Sequence, residues 1–411
     1  MLGYISGMTK KHTEAYMEAL LGLPAPYVVD RMELNDTALL VRIHVRYDAA
    51  EYVDGSGVRH VLYDHAPERE WQHLPWFQYK TMIVCSLPRY KDREGKVKTI
   101  PAPWATERKG YTHLFAEFII EALLAVKVQS KVAELFKTTP FIVRSIMEEA
   151  VERGMVRRGV VEGLRHVSLD EKAYSRGHTY ASILMDATGG RVLDMVQDRT
   201  EESTRELFLK VTGREVCETI ERVNLDMWKP YMKVAGEVAP NAVQVHDKFH
   251  LFKKLSEAID ATRRKEVKQC PQLKGSRYAV LKNAENRTAK QQQQFEQIDA
   301  MNLMTAHAWR IRENFKEVFT ERDPEQVTRI FQQWAENALQ AEISAVTKVV
   351  HTFQRHLTGI INAIITATTS AAHERTNGSI QSILAKARGF KSFERFRINA
   401  LFYFGKLDLT H

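Results

Sequence analysis

The segment from His166 to Gly190, HVSLDEKAYSRGHTYASILMDATGG, constrains the fold more than any other stretch. Val167 and Leu169, then Ile183, Leu184 and Met185, give strand-like apolar runs, and Ala187-Thr188-Gly189-Gly190 supplies a turn. A strand followed by a hairpin is predicted, with Asp170 in the middle of the strand. A carboxylate there is costly to bury unless its charge is compensated. A metal ion is one compensation, and an acid capping a loop at a strand end is the plainer use. Partner carboxylates would favour the metal.

Strands and helices alternate beyond this point. Glu201–Thr212 has helical spacing, Thr219–Asp226 (TIERVNLD) reads as a strand, and Trp228–Glu237 reads as a helix. Asn241–Val245 is a further strand, closed by His246-Asp247-Lys248-Phe249-His250, and a long helix runs on to about Lys268. The order β-β-β-α-β-α-β-α is the RNase H-like sequence of elements. Residues 270–365 are charged and helical, including the glutamine run at 291–294, and lack strand alternation. They are too long for a plain loop inside a compact domain and predict a helical insertion. The chain then returns in one further helical segment with basic residues on one side.

In such a sheet the first strand is central and the fourth lies beside it. Acids on strand one and at the end of strand four are then neighbours, about 4.8 Å apart by backbone spacing. Asp170 and Asp226 fit those places, and Asp247 ends the fifth strand, one strand further out. Glu374, on the helix that must pack back after the insertion, is the candidate third acid. Three carboxylates at one point repel unless cations hold them, which implies one or two Mg²⁺ ions bound through oxygen, with Mn²⁺ able to substitute. Such a pair of ions clamps the attacking and leaving oxygens of in-line phosphoryl transfer. With 51 acids in the chain, some triad can always be drawn, so spacing alone is weak support.

The N-terminal part differs. A short amphipathic helix, roughly His12–Leu21, ends before Pro24, and Tyr27–Tyr47 alternates as a β-hairpin. Another strand covers Gln78–Ser86, with Trp71, Trp76, Phe77 and Trp104 clustering around it. His60, His65 and His73 have no thiolate partners at metal spacing and read as surface or core histidines. Residues 111–152 then turn helical. Ser130–Phe136, the turn Lys137–Thr139 and a second helix from Pro140 make a helix-turn-helix pattern. Thr139 suits the N-cap, Pro140 the first helical position, and small Ala133 allows a close crossing. Lys131, Lys137 and Arg144 are its candidate DNA contacts.

Composition narrows the class. A net charge of +8 over 411 residues favours a polyanionic partner. Only three cysteines occur, Cys85, Cys217 and Cys270, far apart, so a disulfide framework and a cysteine-rich zinc site are excluded and a reducing compartment is expected. No signal-peptide pattern is seen, and the longest apolar run, near Gly359–Ala367, is too short to span a bilayer. The expected organisation is α/β and multidomain. A β-rich domain (1–108) precedes a helix-turn-helix (109–160). An RNase H-like catalytic domain (161–268 and 366–411) is interrupted by an all-helical insertion (269–365).

Over nearly its whole length the chain resembles bacterial insertion-sequence transposases of the ISL-three family. The resemblance is strongest at SLDEKAYSRGHTY, at VNLDMWKPYMKVAGEVAPNAVQVHDKFHLFKKLSEAIDATRR and at ERTNGSIQSILAKARGFKSF with FYFGKLDL. It implies a DDE-type transposase that uses Mg²⁺ to cleave transposon ends and join them to target DNA. By motif, Asp170 in LDEK is the first acid and Glu374 before TNGSIQ the third. For the second the match offers Asp226 in LDMW and Asp247 in HDKFH. Asp226 precedes a helix, as in related transposases, and agrees with the strand order, so it is preferred. Asp247 and His250 are then auxiliary, with His250 orienting a metal-site group or contacting the scissile phosphate. Arg388, Lys391, Arg395 and Arg397 suit DNA backbone contacts. Trp309 and Trp334 in the insertion are either core or a stacking platform for a flipped base. Partners implied are terminal inverted repeats, target DNA and at least a second copy of the chain, in the bacterial cytoplasm at the nucleoid and not at a membrane. Many relatives carry paired CxxC motifs near the N-terminus; here those stretches read YVDGSG (Tyr52–Gly57) and KDREGK (Lys91–Lys96), so the resemblance implies a degenerate zinc-ribbon-like DNA-binding domain at 1–108 in which no zinc is expected. Two other readings remain: a non-catalytic transposase-derived DNA-binding protein, and a structure-specific nuclease of the same fold.

Overall fold

Alternation along Leu40–Tyr47 puts Val41, Ile43 and Val45 on one buried face, and this strand (β2) lies inside a four-stranded sheet. The computed structural model describes residues 17–175, 179–366, 378 and 390–410. The chain divides into two units, residues 1–158 with 407–411, and residues 159–406.

In the first unit β2 pairs with β1 (Tyr27–Asn35) and, in parallel, with β6 (Tyr79–Cys85), which pairs with β5 (Arg69–Trp76). Its core is aromatic. Trp104 meets Tyr27 and Trp71 edge to face, with ring centroids 4.8 and 5.6 Å apart. Phe77, grouped with these aromatics by its sequence position, sits instead in the two-residue β5–β6 turn, where φ is +50° and the side chain is 94% exposed. His73 is buried, with Nδ1 2.9 Å from Thr112 Oγ1, and desolvation lowers its pKa to about 4.

A second sheet has the order β3 (Glu51–Val53), β4 (Arg59–His65), β7 (Pro88–Lys91), β8 (Val97–Thr99). Its two outer hairpins are built alike, and each turn begins with an Asp-x-x-Gly tetrapeptide. Asp54 Oδ1 accepts the Ser56 and Val58 amides, and Asp92 Oδ1 accepts those of Glu94 and Lys96. Gly57 and Gly95 both have positive φ, as this turn demands. Six residues after each aspartate a basic side chain closes the loop: His60 Nε2 is 2.9 Å from Asp54, and Lys98 Nζ is 3.0 Å from Asp92. These turns occupy the stretches YVDGSG and KDREGK, which carry no cysteine.

Helix α1 (His113–Val126) is capped by Thr112 and buries Phe115, Ile119 and Leu123 at helical spacing. Helix α2 (Gln129–Leu135) and α3 (Pro140–Arg158) follow, joined by a short turn through Lys137 at φ +51°. Val132 and Ala133 pack in the crossing with Val143, Ile146 and Met147, all buried. Gln72 Nε2 donates to the carbonyls of Phe136 and Lys137, tying the turn to β5. Residues 407–410 lie on α3. A Cβ on Gly154 would stand 2.8 Å from Leu407 Cβ, and Arg157 Nη1 donates to the Thr410 carbonyl at 2.7 Å.

The second unit holds one five-stranded sheet. Its order is β11 (Arg191–Gln197), β10 (Thr179–Asp186), β9 (His166–Ser175), β12 (Arg222–Leu225), β13 (Val243–His246). The first three run as an antiparallel meander, and β12 and β13 are parallel to β9 and to each other. The connections that parallel pairing requires are α4 (Glu201–Thr212) and α5 (Lys229–Val238). Leu207, Phe208, Val211, Tyr231 and Val234 cover one face of the sheet, against Val167, Leu169, Val223 and Leu225. Strand alternation therefore sends Ser168 and Asp170 to the other face.

Helix α6 (Lys248–Glu266) leaves the sheet and enters a helical array of α7 (Arg277–Leu281), α8 (Ala289–Ala300), α9 (Met304–Asn314), α10 (Pro324–Gln340), α11 (Ser344–Arg355) and α12 (Leu357–Ile365). Its core gathers Leu251 and Leu255 of α6 with Phe315, Phe331, Trp334 and Phe353. Asn362 Nδ2 donates to the Gln244 carbonyl at 3.0 Å, so α12 covers the edge strand β13. The last helix, α13 (Phe393–Phe404), packs against β11. Among the described residues no helix is long and apolar enough to cross a membrane.

Candidate active site

Strand pairing brings the acids together. Arg222 pairs with His166, Val223 with Val167 and Asn224 with Ser168, a constant offset of 56 residues. Continued two residues, this register sets Asp226 opposite Asp170. On the other side Arg222 to Leu225 pair with Val243 to His246, an offset of 21 that sets Asp247 opposite Asp226. Asp226 and Asp247 thus each follow the last residue of their strand, on the side of the sheet's register that runs toward Asp170.

They differ in what holds them. Asp170 is 5% exposed; its Oδ1 accepts the Glu171 amide at 2.8 Å and its Oδ2 accepts Lys172 Nζ at 2.7 Å. His250, on the first turn of α6, brings Nε2 to 3.7 Å from Asp170 Oδ1, an ion-pair distance too long for a hydrogen bond. Asp226 is half-buried just beyond the end of β12 and accepts the Trp228 amide at 3.0 Å. Burial pushes its carboxyl above the usual aspartate value, and the negative charges of Glu171 and Asp170 add to the rise; His250 and the Trp228 amide pull the other way. Asp247 is the N-cap of α6 and accepts the Phe249 amide at 2.8 Å.

Behind the two acids lies a group that sequence reasoning missed. Arg199 Nη1 donates to Glu171 Oε2 at 2.7 Å, and its guanidinium stands 4.5 Å from the Tyr180 ring centre and 4.6 Å from that of Trp228. The Trp228 indole N–H donates to the Arg199 carbonyl at 3.0 Å. Lys172 was missed too, although alternation along LDEK puts it on the same face as Asp170.

The remaining expected residues are dispersed. Glu374 and Arg388 lie outside the described residues. In the first unit Lys131 pairs with Glu134 at 3.0 Å, Lys137 Nζ donates to the Gln78 carbonyl, and Arg144 lies 3.6 Å from Glu148 and 5.4 Å from the Phe141 ring centre. In the second unit Lys391 is exposed and Arg395 half-buried. Arg397, expected at DNA, engages the fully buried Asp194 through two bonds of 2.6 and 3.0 Å. Trp334 is core, with Nε1 donating to the Ile311 carbonyl, while Trp309 packs at a tilt against Phe295, ring centroids 4.6 Å apart, and faces the Arg287 guanidinium.

Among the described residues no three His, Cys, Asp or Glu side chains form a ready metal-ligand set. Asp170 and Asp226 supply two hard oxygen donors on one face. The Lys172 ammonium on Asp170 and the raised Asp226 pKa both register a demand for positive charge there. This donor set fits Mg²⁺.

Residues 167–400, more than half of the chain, match the family model DDE ISL3, described as a transposase. The chain belongs to the ISL3 family of DDE transposases. Among curated relatives of this ISL3 chain is the transposase for insertion sequence element IS1557 of Mycobacterium tuberculosis, 24% identical, with 91% of each chain aligned. Another is the transposase for insertion sequence element IS1001 of Bordetella parapertussis, 25% identical over 94% of this chain and 97% of that one. The family match begins on β9 and ends on α13, so it takes in the whole sheet that carries Asp170 and Asp226.

Proposed function

We propose that the second unit is an RNase H-like catalytic domain that cleaves DNA at transposon ends and joins them to target DNA, with Asp170 and Asp226 as metal-binding catalytic residues and Glu374 as the third acid. The observation that supports this reading is the β9–β12 register, which runs toward Asp170 and Asp226 as far as the pair Asn224–Ser168, together with an Asp226 carboxyl raised by burial and by the nearby charges of Glu171 and Asp170. Two carboxylates kept close in a partly desolvated place are unfavourable alone and become favourable around a cation. The sheet order, with the first strand central and the fourth beside it, supports the same fold.

Mg²⁺ bound there supplies the Lewis acidity on which in-line phosphoryl transfer depends, and Mn²⁺ substitutes for it. Asp170 and Asp226 hold it through oxygen. Lys172 neutralises Asp170 until then. His250 reaches toward the same carboxylate and is placed to orient it or to meet a phosphate oxygen. Asp247 starts α6 and so sets where His250 stands.

In the first unit α2 and α3 act as a helix-turn-helix, with Lys131, Lys137 and Arg144 at the DNA surface and the β-rich part completing recognition of the inverted repeats. Lys391 and Arg395 contact phosphates near the catalytic face. Two or more copies act on paired ends. The deciding experiment compares Asp226→Asn with Asp247→Asn in Mg²⁺-dependent cleavage of a duplex carrying the element's end. Loss of cleavage in D226N with retention in D247N is expected. The reverse pattern would move the site to the HDKFH segment.

A further inference from the structure

The ladder between β9 and β12 ends at the pair Asn224–Ser168, two residues short of the acids. The backbone pairing alone therefore does not set the distance between the two carboxylates. A closed circuit of contacts lies just where the ladder stops. Glu171 follows Asp170 and points to the opposite face of β9, where Arg199 holds it at 2.7 Å. The Arg199 guanidinium lies over the rings of both Tyr180 and Trp228, and the Arg199 carbonyl accepts the Trp228 indole N–H. The Trp228 amide in turn donates to Asp226. The circuit runs Asp170–Glu171–Arg199–Trp228–Asp226 and joins the two acids by a second route.

We infer that Arg199 and Trp228 are positioning residues that fix the spacing of the Asp170 and Asp226 carboxylates and so set the affinity for the divalent ion. The inference rests on the two-aspartate site proposed above. Planarity is what suits Arg199 to the task. A guanidinium can bond Glu171 in its plane while both its faces stack on rings; an ammonium cannot. Trp228 couples the two ends because its backbone serves Asp226 and its side chain serves Arg199. Neither residue need touch the ion. Outer partners of metal-binding carboxylates typically alter metal affinity by about 10- to 100-fold when removed.

The test is direct Mn²⁺ titration followed by electron paramagnetic resonance, on the full chain, for wild type, Arg199→Ala, Arg199→Lys, Trp228→Phe and Asp170→Asn. R199A should weaken Mn²⁺ binding about 10- to 100-fold. Its affinity for end DNA without metal should stay unchanged, and excess Mn²⁺ should restore its cleavage. R199K, which keeps the charge and loses the stacking, and W228F, which keeps a ring and loses the N–H, should show smaller losses. Mn²⁺ binding by R199A within twofold of wild type overturns the inference, as does a loss of thermal stability with no change in Mn²⁺ affinity. If R199A is recovered unfolded, R199K and W228F decide by the same criterion. Unchanged Mn²⁺ binding by D170N would instead sink the two-aspartate site itself, whatever Arg199 does.

Discussion

Asp54 and Asp92 in the first unit each accept two backbone amides and meet a basic side chain six residues later, His60 and Lys98. Their carboxyls are held below the usual aspartate range, Asp54 chiefly by the Ser56 and His60 side chains and Asp92 chiefly by Lys98. Asp226 in the second unit accepts one backbone amide, faces Asp170 and Glu171, and is held above that range by burial. Donor count and solvent access separate the two cases. A carboxylate with its donors met locally makes a turn rigid and has nothing left to bind. A carboxylate short of donors and close to others of its kind weakens the fold and is available to a ligand.

That contrast can be broken in three places. The largest effect is expected from Asp170→Asn, which should lower Mg²⁺-dependent cleavage by roughly 10³-fold or more while gel-shift affinity for end DNA persists. Equal loss of binding would make Asp170 a structural aspartate like Asp54. Next in size, Asp54→Ala should lower the midpoint for unfolding of the first unit, because the Ser56 and Val58 amides and His60 lose their acceptor. Asp54→Asn, which keeps one acceptor oxygen, should lower it less. Cleavage by correctly folded D54A should match wild type.

The smallest effect carries the sharpest sign. The folded-state pKa of Asp226 lies above its unfolded value, so its ionised form costs stability once the pH exceeds about 3.8. Asp226→Asn should therefore raise the thermal midpoint at neutral pH, with the gain fading as the pH falls toward that value. For Asp54 the folded pKa is depressed, so its contribution is present above 3.8 and is lost on acidification. Two aspartates of one chain should then give stability-against-pH slopes of opposite sign. Slopes of the same sign would remove the distinction.

Much of this was legible in the sequence where the signal is local. Strands β9 and β10, the β10–β11 turn at Ala187–Gly190, the Thr139–Pro140 start of α3 and the long helix after Asp247 all follow from periodicity and capping chemistry. The adjacency of β9 and β12, the strand that carries Asp170 and the strand that Asp226 follows, was reachable from strand order alone. The Asp-x-x-Gly turns were missed, although an aspartate followed at the third place by glycine is itself a turn signal. Arg199 could not be found that way. It meets Glu171 and Trp228 from 28 and 29 residues away, and neither spacing carries a local pattern. Arg397 shows the converse failure. A basic residue on a helix with other basic residues looks like a phosphate contact until its partner, Asp194 on a distant strand, is seen.

Residues 407–410 complete the packing of α3, although residues 159–406 separate them from it in the chain. On the ribosome α3 therefore waits for its last neighbours until everything between has been made. A chain released early, or clipped near residue 406, lacks part of the support for the helix pair proposed to grip DNA. Half-made copies would then be poor competitors for transposon ends, and intact ones would hold the advantage.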